Sequence, residues 1–267
     1  MARTAMAAPA PESAGRRGFW LRLLTAVLVV LLLRALVLDW HYVPSGSMLP
    51  NIEPGDRILV NKLAYNLNLP FVTNSPLRWN QPERGELVTF TAPGDGRRYV
   101  KRVLGVPGDR IAVQDGKVWL NRQPLHYAPL PPQATAQATG SSVAMPDLYR
   151  ECWGGQQHWI QLHSGQPAPV LREMQIPDGH FLMLGDNRHR SEDSRSLGLV
   201  AASLLQGRVL KVLYGLDEGG WPRRGRWLHP LEPSVAQFLD QAQDHCPDQA
   251  QPGSQSNEQQ ADAEQTQ

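Results

Sequence analysis

The chain has 267 residues, 26 Lys and Arg against 25 Asp and Glu for a formal net charge of +1, and 41% hydrophobic residues. That length allows a sizeable core in one domain or two, and the near-neutral balance argues against nucleic acid as a partner held by bulk charge. Only two cysteines occur, Cys152 and Cys246, with no CxxC, so neither a disulfide framework nor a thiolate metal site is signalled; a bridge between them is open but not favoured, because Cys246 falls in a polar tail.

The first element is apolar. Gly18 to Leu38 reads GFWLRLLTAVLVVLLLRALVL, interrupted only by Arg22 and Arg34. A helix of this length matches the hydrocarbon thickness of a bilayer, and both arginines lie near its ends, where they can reach headgroups. Arg3, Arg16 and Arg17 precede it against a single Glu12, a bias that puts the N-terminus in the cytoplasm. RRGFWL has the look of a twin-arginine export signal, yet RALVLDWHYV supplies no small-x-small cleavage site. A cytoplasmic segment over 1–18 and one uncleaved anchor over 19–38 are therefore expected.

Beyond residue 38 the 23 Pro and 23 Gly punctuate short apolar-polar alternations, which predict strands and turns. Asp56–Tyr65, Gly85–Pro93 and Arg97–Val106 read as strands. RIAVQDGKVWL reads as a hairpin, with Asp115-Gly116 suited to the positive φ of a two-residue turn. Residues 129 to 146 are rich in Pro, Ala, Ser, Thr and Gln and predict a long surface loop; strand signals resume at QHWIQLH, GHFLMLGD and GRVLKVLYGL. Val235, Phe238 and Leu239 allow one amphipathic turn, and the Gln-rich, acidic residues from about 240 onward predict disorder. The expected fold class is mostly β.

Chemistry concentrates first at PSGSMLP, Pro44 to Pro50, where Ser47 sits on a glycine-containing turn with no nearby His. The eight histidines, at 41, 126, 158, 163, 180, 189, 229 and 245, form no HExxH or other metal-ligand spacing, and no GxSxG elbow occurs. No metal or cofactor is expected. A remote His could still approach Ser47. The alternative base is Lys101 in RRYVKRV, where strand alternation puts Tyr99, Lys101 and Val103 on one face and Val100 and Arg102 on the other. One of two adjacent cations then faces the interior. A lysine titrating near ~10.4 in water can be lowered by burial toward the ~7–8 suited to proton abstraction; an ordinary edge-strand lysine is the competing reading.

VPSGSMLPNIEPGDRILVNKLAY, RGELVTF, RRYVKRVLGVPGDRI and IPDGHFLMLGDNRHRSEDSR resemble, in order and behind an N-terminal anchor, the successive boxes of bacterial type I signal peptidase, a membrane-anchored Ser/Lys endopeptidase that removes signal peptides from exported preproteins. With GRVLKVLYGLDEGGWP the resemblance spans about residues 19 to 228. It implies coiled antiparallel sheets in a periplasmic peptidase domain over 39–232, with a β-rich insertion at about 115–175; the Gln-rich, acidic composition beyond it reads as a disordered tail over 233–267. It also implies Ser47 as nucleophile, Lys101 as general base, Ser45 and the Ser47 N–H as the oxyanion hole, Ser191 as the residue that hydrogen-bonds and orients the lysine amine, and Asp193 with Arg195 as a supporting pair. Val43, Met48, Tyr99 and Val100 are expected to line shallow pockets that admit small residues at the first and third positions before the cut.

The chain departs from the family at His189-Arg190, commonly Asp-Asn, at Ser196-Leu197, commonly bulky aromatics, and at His41, apolar in better-known members. The implied partners are preprotein signal peptides, the lipid bilayer and the secretion translocon, and the implied location is the bacterial inner membrane with the catalytic domain outside; WPRRGRW, residues 221–227, could touch anionic headgroups. Three alternatives are a peptidase dedicated to one pilin or conjugation substrate, a catalytically idle secretion module, and a self-cleaving repressor. Residues 1–18 are too short for the helix-turn-helix that the last requires.

Overall fold

The computed structural model describes residues 13–66, 78–129, 148–163, 165–217 and 219–231. Most of the loop expected at 129–146, the short amphipathic turn at 235–239 and the tail lie outside them.

Helix α1 (Ser13–Leu36) leads directly into β1 (Leu38–Tyr42). Its apolar residues from Phe19 to Leu31 are exposed, although among the described residues no helix is long and apolar enough to cross a membrane. The strands that follow are β2 (Asp56–Asn61), β3 (Leu87–Thr91), β4 (Arg98–Gly105), β5 (Arg110–Gln114), β6 (Lys117–Leu120), β7 (Gln123–Pro124), β8 (His126–Pro129), β9 (Leu148–Trp153), β10 (Gln156–Gln161), β11 (Leu171–Gln175), β12 (His180–Leu184), β13 (Val200–Ala201) and β14 (Leu205–Gly215), with a one-turn helix α2 (Ser194–Leu197) between β12 and β13. The fold is mostly β, as composition predicted.

Among the described residues three sheets form, with orders β1-β2-β14-β3-β4-β12-β13, β10-β9-β8 and β11-β5-β6-β7, and every strand pair in them is antiparallel. The β5–β6 hairpin turns where expected, with φ of 50° at Asp115 and 75° at Gly116, the left-handed pair that lets a two-residue loop follow strand twist. Bulges in β14 between Val209 and Lys211 and between Val212 and Tyr214 bend the long final strand across the seven-stranded sheet.

Among the described residues the core is split among three clusters. One holds Val88, Phe90, Val103, Phe181 and Met183, a second Val43, Met48, Ile52, Ile58 and Val60, and a third Leu104, Ile111, Val118, Leu182 and Leu184. Each such side chain taken from water contributes about 1.5–3 kcal/mol. Because β4 carries apolar clusters on both sides, its residues Lys101 through Gly105 are all buried. The expectation that only one of the Lys101-Arg102 cations faces inward is therefore corrected: alternation still sends them to opposite faces, but both faces are covered. Two further corrections follow. Met48 is fully buried in the second cluster, and Cys152 is disulfide-bonded; the chain's other cysteine, Cys246, lies outside the described residues.

Candidate active site

The turn carrying Ser47 is held at both ends by strand contacts. Val43 N–H donates to the Asp56 carbonyl at 2.9 Å, and Gly55 N–H returns to the Val43 carbonyl at 2.8 Å. Between them Ile52 N–H and Asn51 N–H both donate to the Met48 carbonyl, and Met48 and Ile52 plug the turn into the apolar core. Ser47 is thereby presented at the mouth of a cleft with only 7% of its surface exposed.

Lys101 reaches the same point from β4, where it pairs with Val88 of β3. Its Nζ lies 2.5 Å from Ser47 Oγ. The side chain is 2% exposed, and burial lowers its pKa to about 8; Asp193, Asp186 and Glu192 oppose that shift and Arg195 adds to it. Desolvation therefore outweighs three carboxylates. The Tyr99 ring, 5.5 Å from Nζ, faces the same amine. Among the described residues no histidine bonds to Ser47, so the remote-His alternative gains no contact here.

Ser45 Oγ stands 3.5 Å from Ser47 Oγ at the exposed rim. Asp193 and Arg195 form a forked ion pair with both contacts at 2.8 Å and both side chains buried. Burial works against the Asp193 carboxylate, but the Arg195 guanidinium and the Gly185 N–H hold its pKa below the usual range. The same carboxylate caps α2 by accepting from the Arg195 N–H. Ser191 is brought into this group without the expected contact: its buried Oγ makes no hydrogen bond to Lys101, and lies near enough to Asp193 to help keep that carboxyl ionised. Gly185 explains how tightly these loops meet, since a Cβ there would stand 2.1 Å from Ser191 Oγ and 2.5 Å from the Ser47 carbonyl oxygen.

The cleft beside the pair has a volume of about 520 Å³ and is lined by Val43, Tyr99 and Val100 among others; Met48 is fully buried and does not line it. Glu192, whose carboxylate accepts from the Tyr99 hydroxyl at 2.9 Å, also lines it, as do Thr89 and Arg98. Sequence reasoning missed these three. Glu192 adjoins Ser191 and was within reach of inspection, whereas Thr89 and Arg98 enter through strand pairing that no short motif encodes. His41 lines the cleft too, with Nε2 3.5 Å from Asp39; burial and Arg98 lower its pKa, so it is neutral near pH 7. His189 accepts from the His163 N–H through Nδ1 at 3.2 Å, outside the cleft lining.

Comparison with known proteins places the chain in a family. The family model described as signal peptidase, peptidase S26, matches residues 16–214. Signal peptidase I of Pseudomonas fluorescens and that of Pseudomonas aeruginosa are each 34% identical over 170 residues, covering 62% of this chain, and the chain spans 58% of the length of either relative. A probable signal peptidase I-2 of Synechocystis is 30% identical over 234 residues, 84% of both chains. The match of that family model over residues 16–214, most of the chain's length, makes this chain a member of the signal peptidase family, peptidase S26.

Proposed function

We propose that the chain is a membrane-bound serine endopeptidase that removes N-terminal signal peptides from exported preproteins after small-x-small sites. The observation that carries this reading is the 2.5 Å contact between Lys101 Nζ and Ser47 Oγ in a site dry enough to hold the amine near pKa 8.

Lys101 in its neutral form accepts the Ser47 hydroxyl proton as Oγ attacks the scissile carbonyl carbon. The oxyanion that forms is met by the Ser45 hydroxyl and the Ser47 N–H, donors worth about 3–4 kcal/mol where they act only on the transition state. The Lys101 ammonium then protonates the leaving amine, releasing the mature protein's N-terminus and leaving an ester on Ser47. Water attacks that ester with Lys101 again as base. The Asp193–Arg195 pair holds the loop that carries Ser191, whose hydroxyl lies toward the Asp193 carboxylate. The apolar walls at Val43, Tyr99 and Val100 leave room for small side chains and reject large ones by overlap.

In this reading α1 anchors the chain in the bacterial inner membrane with its N-terminus in the cytoplasm and the β domain on the periplasmic side, beside the bilayer and translocon from which signal peptides emerge. The test is cleavage of a preprotein whose signal ends in Ala-x-Ala by the detergent-solubilised wild type and by a folded Lys101→Ala variant. Cutting after the second Ala by wild type alone is expected. Cutting by the variant would remove Lys101 as base, and no cutting by either would remove the activity.

A further inference from the structure

Behind the Ser47–Lys101 contact lies a buried charge cluster that the chemistry above does not use. Arg102, the residue after Lys101, makes two contacts of 2.9 Å to the Asp186 carboxylate. Asn51, in the turn that carries Ser47, donates through Nδ2 to Asp186 at 2.6 Å and to the Trp159 carbonyl at 2.8 Å. Arg188, at the root of the loop bearing Ser191 and Asp193, forms a forked pair with Glu151 and also donates to the Gly185 and Gly116 carbonyls. His158 Nε2 sits 3.1 Å from Glu151 and 3.7 Å from Asp186, close to both carboxylates without the alignment of a full hydrogen bond. The Tyr127 hydroxyl completes the set by donating to Glu151 at 2.6 Å. All of these charged side chains are within 3% of complete burial.

The topology gives the cluster its meaning. Glu151 lies on β9 and His158 on β10, facing each other in register, and Tyr127 lies on β8; this three-stranded sheet contributes no residue to the cleft lining. Yet it meets, through one charge centre, the turn of Ser47, the strand of Lys101 and the loop of Ser191. We propose that Glu151, with His158, is a positioning residue for the peptidase reaction: the three-stranded sheet uses it to fix Arg188 and Asp186, and through them the relative placement of Ser47, Lys101 and Ser191. The inference rests on the activity proposed above. Its physical logic is that a buried pair broken on one side leaves an uncompensated charge, here Arg188, whose attraction for Asp186 then competes with that of Arg102 and Asn51. A displacement of about 1 Å transmitted this way lowers a rate by as much as ~100-fold.

The test compares full-length wild type, Glu151→Gln and Tyr127→Phe in detergent, on a peptide with Ala at the first and third positions before the cut, over a range of pH. Glu151→Gln keeps the shape and removes the charge. It is expected to lower kcat by about tenfold or more with KM changed less than about threefold. A second readout separates positioning from mere stability. The groups facing Lys101 are Asp193, Asp186, Glu192 and Arg195, with Arg102 adjoining; freeing Arg188 toward Asp186 weakens one of the carboxylates that favour the ammonium, so the acid limb of kcat/KM moves to lower pH. A folded Glu151→Gln enzyme with lower Tm but unchanged kcat and unchanged acid limb overturns the inference while the peptidase reading stands. Wild type that cuts nothing overturns the peptidase reading itself. If Glu151→Gln does not fold, Tyr127→Phe decides: a kcat lowered about threefold at constant KM supports positioning, and an unchanged kcat overturns it.

Discussion

The carbonyl oxygen of Ser47 accepts from the N–H of Asn187 at 3.1 Å, and the side-chain amide of Asn187 donates to the carbonyl of Gly46 at the same distance. One residue of the loop after β12 thus grips two successive carbonyls of the nucleophile turn. Elements distant in the chain meet backbone to backbone here, so the position of Ser47 depends on how closely that loop can approach.

Gly185 sets the approach. An added Cβ would meet the Ser47 carbonyl oxygen at 2.5 Å and Ser191 at 2.1 Å, and the first of these is backbone that no rotamer change can move. Gly185→Ala is therefore expected to fold with a loss of about 1–3 kcal/mol and to lose ~10–100-fold in kcat as the loop retreats. Thermal unfolding together with peptide cleavage checks both halves. Wild-type kcat in the folded variant contradicts the account.

The acid limb of the pH profile follows from Lys101. Only the neutral amine can accept the Ser47 proton, and burial brings its pKa to about 8, so kcat/KM is expected to rise with pH up to a plateau above about pH 8. The free enzyme's ionisation is what this parameter reports. An acid limb centred near the ordinary histidine range of ~6.5 points instead to an imidazole base.

Much of this was legible beforehand, for reasons that differ by residue. Strands β3, β4, β12 and β14 and the Asp115-Gly116 turn carry local signals, alternation in the one case and left-handed turn chemistry in the other. Lys101 stands out because a cation on an inward-facing strand position is costly, but the strand pattern leaves an edge-strand lysine open and the family resemblance is what singles it out. Arg102 misled the same argument: alternation assumes one wet face, and β4 has none. Met48 is a lining residue only by the family resemblance; here its side chain is fully buried in the core instead. Thr89, Arg98 and the Glu151–Arg188 pair depend on registers between strands far apart in the chain, and no local pattern specifies those. The pairing of Cys152 carries no local sequence signal, since no CxxC or short-range partner marks it.

Ser45 offers a test of transition-state stabilisation apart from proton transfer. Its hydroxyl is 3.5 Å from Ser47 Oγ and lies at the exposed rim, so Ser45→Ala removes one donor while disturbing little packing. Expected is a fall in kcat of ~100–1000-fold with KM nearly unchanged and Tm within about 1 °C, the pattern of an interaction made only in the transition state. A rise in KM at constant kcat assigns Ser45 to substrate binding instead.

The same burial that makes Lys101 a base destabilises the fold, and its sign can be worked out. The pKa falls from 10.5 to about 8 on folding, so between those values the unfolded chain holds a proton that the folded chain has released. Stability then rises with pH across that interval. Below about pH 8 the full cost of keeping a buried ammonium is present, up to about 3 kcal/mol at ~1.4 kcal/mol per pKa unit. Lys101→Met keeps the length and apolar stem of the side chain without the charge. It is expected to abolish cleavage yet unfold later than wild type at pH 7, with the gain shrinking as pH rises toward 10. Denaturant unfolding of both proteins at pH 7 and pH 10 measures it: equal stability at both pH values, or a less stable variant at pH 7, means that the Asp193, Asp186 and Glu192 carboxylates compensate the buried ammonium more fully than the geometry indicates.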